Sequence, residues 1–394
     1  MKNLLTSLPF RLVVALALGI IVGLNTSEQI MQVIVTVQNI MYQIIMFAIP
    51  LIIIGFIAPS ITRLGTSASR MLGIALILAY FSSVGAALFS TVAGFGIIPF
   101  LNISTAAEAN RELPKLIFDL KIPQIMPVMS ALVASVLIGL AAVWNKASTT
   151  ISLLEEFQKI VLSIVTVIII PILPFFIGCT FAGLAYEGSI TRQLPVFLIV
   201  VVIVMAGHYI WLTLLYLIAG IYSGKNPLRV LKHYGPAYLT AVGTMSSAAT
   251  LPVALRCARK SDALREDMTA FGVPLFANVH LCGSVLTETF FVMVVSKILY
   301  GAVPPLGAMI LFCVLLGIFA IGAPGVPGGT VMASLGLITS VLGFSSEGTA
   351  LMLTIFALQD SFGTACNVTG DGALSLILTG YADKHKIAND STPR

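Results

Sequence analysis

The chain has 394 residues, 58% of them hydrophobic and only 9% charged, with a mean hydropathy of +1.03. That usage excludes a soluble globular domain and points to an integral membrane protein with several spans. The net charge of +5 comes from basic residues in short loops between apolar runs, so it reports membrane orientation rather than binding to nucleic acid.

The first apolar run, around Leu12 to Leu24, follows "MKNLLTSLPFR". No small-residue cleavage site and polar mature domain come after it, so it reads as a retained span and not a signal peptide. Spans are predicted near 9–25, 32–60, 71–97, 122–144, 151–185, 195–222, 268–299 and 346–381, each long enough for a hydrocarbon core that needs roughly 20 helical residues. Residues 102–123, "NISTAAEANRELPKLIFDLKIP", alternate in charge and read as a solvated outer loop.

Two stretches do not fit a simple span. Residues 228–258 contain "GTMSSAATLP" and residues 305–344 contain "GAPGVPGG", each with apolar flanks around a break. One such segment alone reads equally well as a kinked span, since Gly and Pro are common in membrane helices. Two together read as re-entrant hairpins, because freed backbone at membrane depth must be buried in protein or line a wet cavity, and paired interruptions mark a carrier's binding site. With the N-terminus inside, this layout puts sixteen of the 21 lysines and arginines on the cytoplasmic side and both termini there too. The predicted fold class is therefore an all-α polytopic membrane protein with eight transmembrane helices and two re-entrant helical hairpins.

Three acids fall at membrane depth, where an ionisable side chain faces a cavity or pathway as a rule: Glu288, Asp360 and Asp371. In "DSFGTACNVTGD", Asp360, Thr364, Asn367 and Asp371 fall at i, i+4, i+7 and i+11, one stripe of a helix, with Gly363 leaving a notch beside Asp360. A carboxylate there suits an ammonium group, and an amide with a carboxylate one turn away suits a hard cation such as sodium. The bland alternative is polar glue between helices, a part more usually taken by Ser, Thr, Asn or Gln than by paired Asp. In "NVHLCGSVLTETFF", His280, Ser284 and Glu288 are predicted to share one face at i, i+4 and i+8. His280 and Glu288 are candidates for proton coupling, although His280 reads equally well as an interhelical hydrogen-bonding group. His208 reads as a packing and hydrogen-bonding residue. The five cysteines are scattered, giving neither a disulfide framework nor metal-ligand spacing. Zinc-protease, phosphate-loop and nucleophile-elbow patterns are absent, so an enzyme is not expected.

These residues resemble the dicarboxylate/amino acid:cation symporter family, which includes the glutamate transporters. The resemblance covers nearly the whole chain and rests on the span count, the serine-rich "SSAATLP" after the sixth span, the Gly/Pro-rich break before the last, and "NVTGD" on the last. It implies a homotrimer with an elevator fold. Residues 1–70 (spans one and two) and 101–190 (spans four and five with the outer loop) would be fixed scaffold; 71–100 (span three) and 191–394 (span six to span eight with both hairpins) would be the moving transport domain. The resemblance implies substrate contacts from Ser246, Ser247, Val326, Gly328, Asp360, Gly363, Thr364 and Asn367, with Asp360 on the amine and the second hairpin as gate. It also implies cation ligands among Asn367, Asp371, Ser284, Ser82 and Ser83.

Two departures from the family pattern bear on function. Acidic-substrate members carry an arginine three residues after the substrate aspartate, where this chain has Gly363, so a side-chain carboxylate loses its bidentate partner. The seventh span reads His280-Leu281-Cys282-Gly283-Ser284 where the family reads Asn-Met-Asp-Gly-Thr, and a thiol is a poor ligand for a hard cation. Glu288 matches a glutamate assigned the co-transported proton in the eukaryotic members. The expected function is a cation-coupled importer of a small neutral amino acid in the cytoplasmic membrane, using sodium at fewer sites than is typical of the family. A proton-coupled carrier or exchanger using Glu288 and His280, a dicarboxylate carrier and a gated ion channel are the alternatives. Lipid, substrate and cations are the expected partners, with no nucleic acid.

Overall fold

The computed structural model describes residues 7–66, 70–101, 103 and 111–387. Residues 104–110 of the predicted outer loop and both chain ends, 1–6 and 388–394, lie outside the described residues. Those that are described form helices and connecting segments, with no strand.

Four helices lead the chain: α1 Leu8–Asn25, α2 Glu28–Thr66, α3 Arg70–Ile97 and α4 Val128–Trp144. α2 outruns its predicted span at both ends. α4 is shorter than the predicted 122–144, because Pro123 and Pro127 keep the preceding segment out of helix and Pro127 sits at its N-cap. α5 Ser148–Ile164 and α6 Ile170–Tyr186 form one span joined by a π turn at Val165–Ile169. Pro171 follows at the start of α6, where its missing N–H leaves the α ladder one donor short and a wider turn is accommodated. α7 Ile190–Ser223 ends on left-handed Gly224.

Both interrupted stretches are paired helices around a break. After the single turn α8 Leu228–Leu231 come α9 Gly235–Thr244 and α10 Ser247–Ala258, which pack on each other. Between them Met245 takes a left-handed φ of 53°, and the Ser246 side chain caps α10 by accepting from the Ala249 N–H at 3.2 Å. α13 Leu306–Gly322 and α14 Gly329–Ser340 likewise flank a tip at 323–328, where Gly328 supplies a φ of 70°.

The seventh span is not the continuous helix that the periodicity suggests. α11 Glu266–Val279 and α12 Cys282–Tyr300 are separated by His280 and Leu281, both in non-helical backbone. His280, Ser284 and Glu288 therefore do not share a face. α15 Ser346–Lys384 is unbroken and carries the 360–371 stripe.

Among the described residues, six helical stretches are able to cross a membrane by length and composition alone: Leu8–Asn25, Glu28–Thr62, Arg70–Phe100, Ser148–Tyr186, Gln193–Ser223 and Glu266–Tyr300. Helices α1, α2, α4, α5 and α6 pack with one another, while α3, α7 and the elements from α9 onward gather round α12 and α15. α1 approaches α6 so closely that a Cβ on Gly19 would meet the Gly178 carbonyl oxygen at 2.2 Å, the small-residue contact by which membrane helices associate. α12 and α15 lie innermost and are buried along nearly their whole length. Polar side chains on them must therefore find partners within the protein.

Candidate functional site

The site forms where the two broken tips, the α11–α12 break and the middle of α15 meet. Ser246 Oγ donates to the Gly325 carbonyl at 2.6 Å, which latches one tip to the other. Asp360 Oδ2 accepts from the Gly328 N–H at 2.7 Å, and its Oδ1 accepts from Ser284 Oγ at 3.2 Å. One carboxylate thus ties the second tip and the start of α12 to α15.

Breaking the seventh span leaves amides at the start of α12 without intrahelical acceptors. Asn367 supplies one from the neighbouring helix: its Oδ1 accepts from the N–H groups of Gly283 at 2.7 Å and Ser284 at 3.2 Å, while its Nδ2 donates to Ser284 Oγ at 2.9 Å. The acceptor expected to face a cation is occupied as a helix cap. His208 meets the same region, with Nε2 2.9 Å from Thr287 Oγ1 and 3.1 Å from the Gly283 carbonyl oxygen.

Beside Asp360 lies a small, nearly closed cavity of about 10 Å³, lined by Met245, Ser247, Leu281, Ser284, Pro324, Gly325, Val326, Thr330, Asp360, Thr364 and Asn367. Its lining carries a single carboxylate and no Lys, Arg or His. Gly363 stands at its edge, backed by Ser284: an added Cβ would meet Ser284 Cα at 3.2 Å and N at 3.3 Å. A side chain at 363 would require Ser284 to give by a few tenths of an ångström.

The remaining predicted residues fan out to separate partners. His280 bridges two helices, with Nε2 2.9 Å from Ser82 Oγ on α3 and Nδ1 2.9 Å from Asp371 Oδ1 on α15. Ser83 Oγ and Asp371 Oδ2 are buried without hydrogen-bond partners. Glu288 Oε1 accepts from Ser334 Oγ on α14, and its Oε2 has no partner. The predicted stripe on α15 is continuous, but it serves different neighbours: Asp360 the tip, Asn367 the α12 amides, and Asp371 the imidazole. Ser82 and Asp371 are engaged by His280, and Asn367 by α12, so the expected sodium ligands do not stand together as a free oxygen cluster. Among the described residues no three His, Cys, Asp or Glu side chains converge as a metal site.

Sequence reasoning missed Ser334, the capping role of Asn367 and the break at His280–Leu281. Neither residue of that break is Gly or Pro, so no local signal marks it.

The fold and site together define a polytopic helical membrane protein in which paired broken helices close over a polar centre on a long, buried helix. The family model for the sodium:dicarboxylate symporter family matches residues 8–381, and the chain belongs to that family. It is 28% identical over 235 residues to excitatory amino acid transporter 2 of Mus musculus, covering 58% of this chain and 40% of that protein. With excitatory amino acid transporter 3 of Mus musculus it is 31% identical over 186 residues, 47% of this chain and 35% of that one. An excitatory amino acid transporter of Caenorhabditis elegans matches at 26% over 271 residues, 67% and 53% of the respective chains. The matches thus span between about a third and about half of each relative's length.

Proposed function

We propose that this protein is a secondary-active, cation-coupled carrier that imports a small neutral amino acid across the cytoplasmic membrane. The observation that carries the reading is the cavity's charge: one buried carboxylate, Asp360, with no basic side chain in the lining. A substrate with a second carboxylate would bury a negative charge beside Asp360 without a partner, at a cost of several kcal/mol. An ammonium group gains that same carboxylate.

In this reading Asp360 holds the amine, Thr364, Asn367 and the Ser247 tip surround the substrate carboxylate, and Val326 closes the second tip over it. The Ser246–Gly325 contact is the latch that opening must break. Eight spans with two hairpins, both termini inside, a trimer, and a scaffold of α1, α2, α4, α5 and α6 against which the remaining helices move complete the proposal; the two packing groups are its support. The tips also border a second cavity lined by Ser60, Gln158 and Lys159. Lys159 counts as cytoplasmic by the charge bias, so the conformation reads as inward-facing with the latch closed.

The test is uptake of labelled neutral and acidic amino acids into proteoliposomes under a sodium gradient and, separately, a proton gradient. Neutral amino acids should enter and acidic ones should not; saturable uptake of glutamate or a dicarboxylate would overturn the reading. Asp360→Asn should abolish substrate binding with the fold intact.

A second reading, proton coupling, has its own support in Glu288, whose carboxyl is buried with one oxygen on Ser334 of the second tip and the other without a partner. A carboxyl so placed is more easily accommodated as the neutral acid. Glu288→Gln should then make uptake indifferent to pH, and a variant that keeps full pH dependence would remove Glu288 from the coupling.

A further inference from the structure

We propose that the His280 imidazole is a built-in occupant of the position between Ser82 and Asp371, so that these two oxygens hold a side chain of the protein and no sodium ion binds between them. The inference rests on the reading of the chain as a cation-coupled carrier and specifies what fills one of its cation positions.

The ring is held at both nitrogens, 2.9 Å from Ser82 Oγ and 2.9 Å from Asp371 Oδ1, and all three side chains are buried. The local backbone is shaped for this. His280 leaves the helical conformation with φ −116° and ψ 103°, which turns its side chain off the line of α11 and into the gap between α3 and α15. α15 makes room with Gly370, where a Cβ would meet the ring's Cε1 at 2.9 Å. Phe276, one turn earlier, sets its ring roughly perpendicular to the imidazole at 6.3 Å. A ring that merely filled space would not need an oxygen at each nitrogen and a glycine beside its edge.

The surroundings of Asp371 lead to the same assignment. Among the described residues His280 is the one basic group within ion-pair distance of the buried Asp371. The other polar groups nearby are Cys282, whose sulfur lies beside Gly370 next to the ring, and Tyr216 and Tyr234, whose rings flank Gly372. Asp371 therefore has the imidazole as its partner, and the ring fills the space that an ion shared with Ser82 would need. The other donor expected for such an ion, Asn367 Oδ1, is committed to the α12 amides.

The consequence is a carrier that couples to one sodium fewer than a relative with a small neutral residue in place of His280. The test uses the purified full chain without substrate, comparing thermal stability in sodium chloride and in choline chloride at matched ionic strength. His280→Asn, and as a second variant His280→Asn with Cys282→Asp, should show a sodium-specific rise in Tm beyond that of the wild type. Their substrate affinity should also depend on sodium more steeply by one ion, about tenfold in Kd per tenfold change in sodium. Folded variants whose sodium response equals that of the wild type would overturn the proposal. A measurement on the wild type keeps the question decidable if neither variant folds: ring-nitrogen magnetic resonance of labelled histidine, with the His280 signals assigned by His280→Gln or by their coupling to one another in the buried pair. Those signals should stay fixed as sodium is raised, and a sodium-dependent shift would show an ion displacing the ring and sink the idea. Failure of amino acid uptake alongside the expected stability results would count against the proposed function alone.

Discussion

A single carboxylate facing the proposed substrate cavity decides more here than any composition figure, and two glycines on the same helix, Gly363 and Gly370, shape what lies against it. Gly363 is legible as a notch because it lies on the same helical stripe as Asp360. Gly370 is not, because the ring it admits comes from another helix. Gly370→Ala should destabilise the protein by about 1–3 kcal/mol, the usual cost of overpacking a rigid core site, since the added Cβ meets His280 Cε1 at 2.9 Å. Thermal unfolding of the purified variant measures it, and unchanged stability would mean that the ring does not occupy that gap.

At the scale of elements, the break in the seventh span creates the site. A continuous helix would carry His280, Ser284 and Glu288 along one face; the break takes His280 off it to Asp371, while Ser284 and Glu288, one turn apart on α12, meet Asp360 with Asn367 and Ser334 respectively. The amides it exposes are capped from α15 by Asn367, an arrangement equivalent to an N-cap supplied in trans. Asn367→Ala should therefore lower stability by roughly 0.5–2 kcal/mol even without substrate, the range of lost N-caps. If the variant loses substrate binding but keeps its full unfolding midpoint, Asn367 serves the ligand and not the helix.

Across the whole molecule, the two helix groups meet near the end of α6 and the start of α15, where Glu187 and Glu347 line a common cavity with Gln38 and Gln193. Burial, reinforced by the neighbouring Glu347 charge, pushes the Glu187 carboxyl up to about 7. A carboxyl raised in the folded state binds its proton more tightly there than when unfolded, so its contribution favours folding at low pH. That contribution is lost as pH rises from the ordinary carboxylate range through about 7. Glu187→Gln should match the wild type in Tm at pH 5 and exceed it at pH 8; equal midpoints at both would show that burial does not raise the Glu187 carboxyl. At the opposite end Asp383 accepts from Lys225 at 2.9 Å and lies 3.4 Å from Arg265, tying the end of α15 to the α7 and α11 ends.

The sequence by itself determined that the chain is helical and built for a membrane, where the two interrupted pairs lie, and that Asp360, Asn367 and Asp371 look out from one helix. Those properties follow from hydropathy and from the 3.6-residue period, which act within a segment. Only the tertiary structure decided which neighbour each side chain meets: a tip amide for Asp360, helix amides for Asn367, an imidazole for Asp371. The physical reason is that hydrogen bonds and charge pairs between helices depend on backbone breaks and close approaches set by packing. At His280 and Leu281 no glycine or proline announces the break, so the partner of a buried acid could be read only from the folded chain.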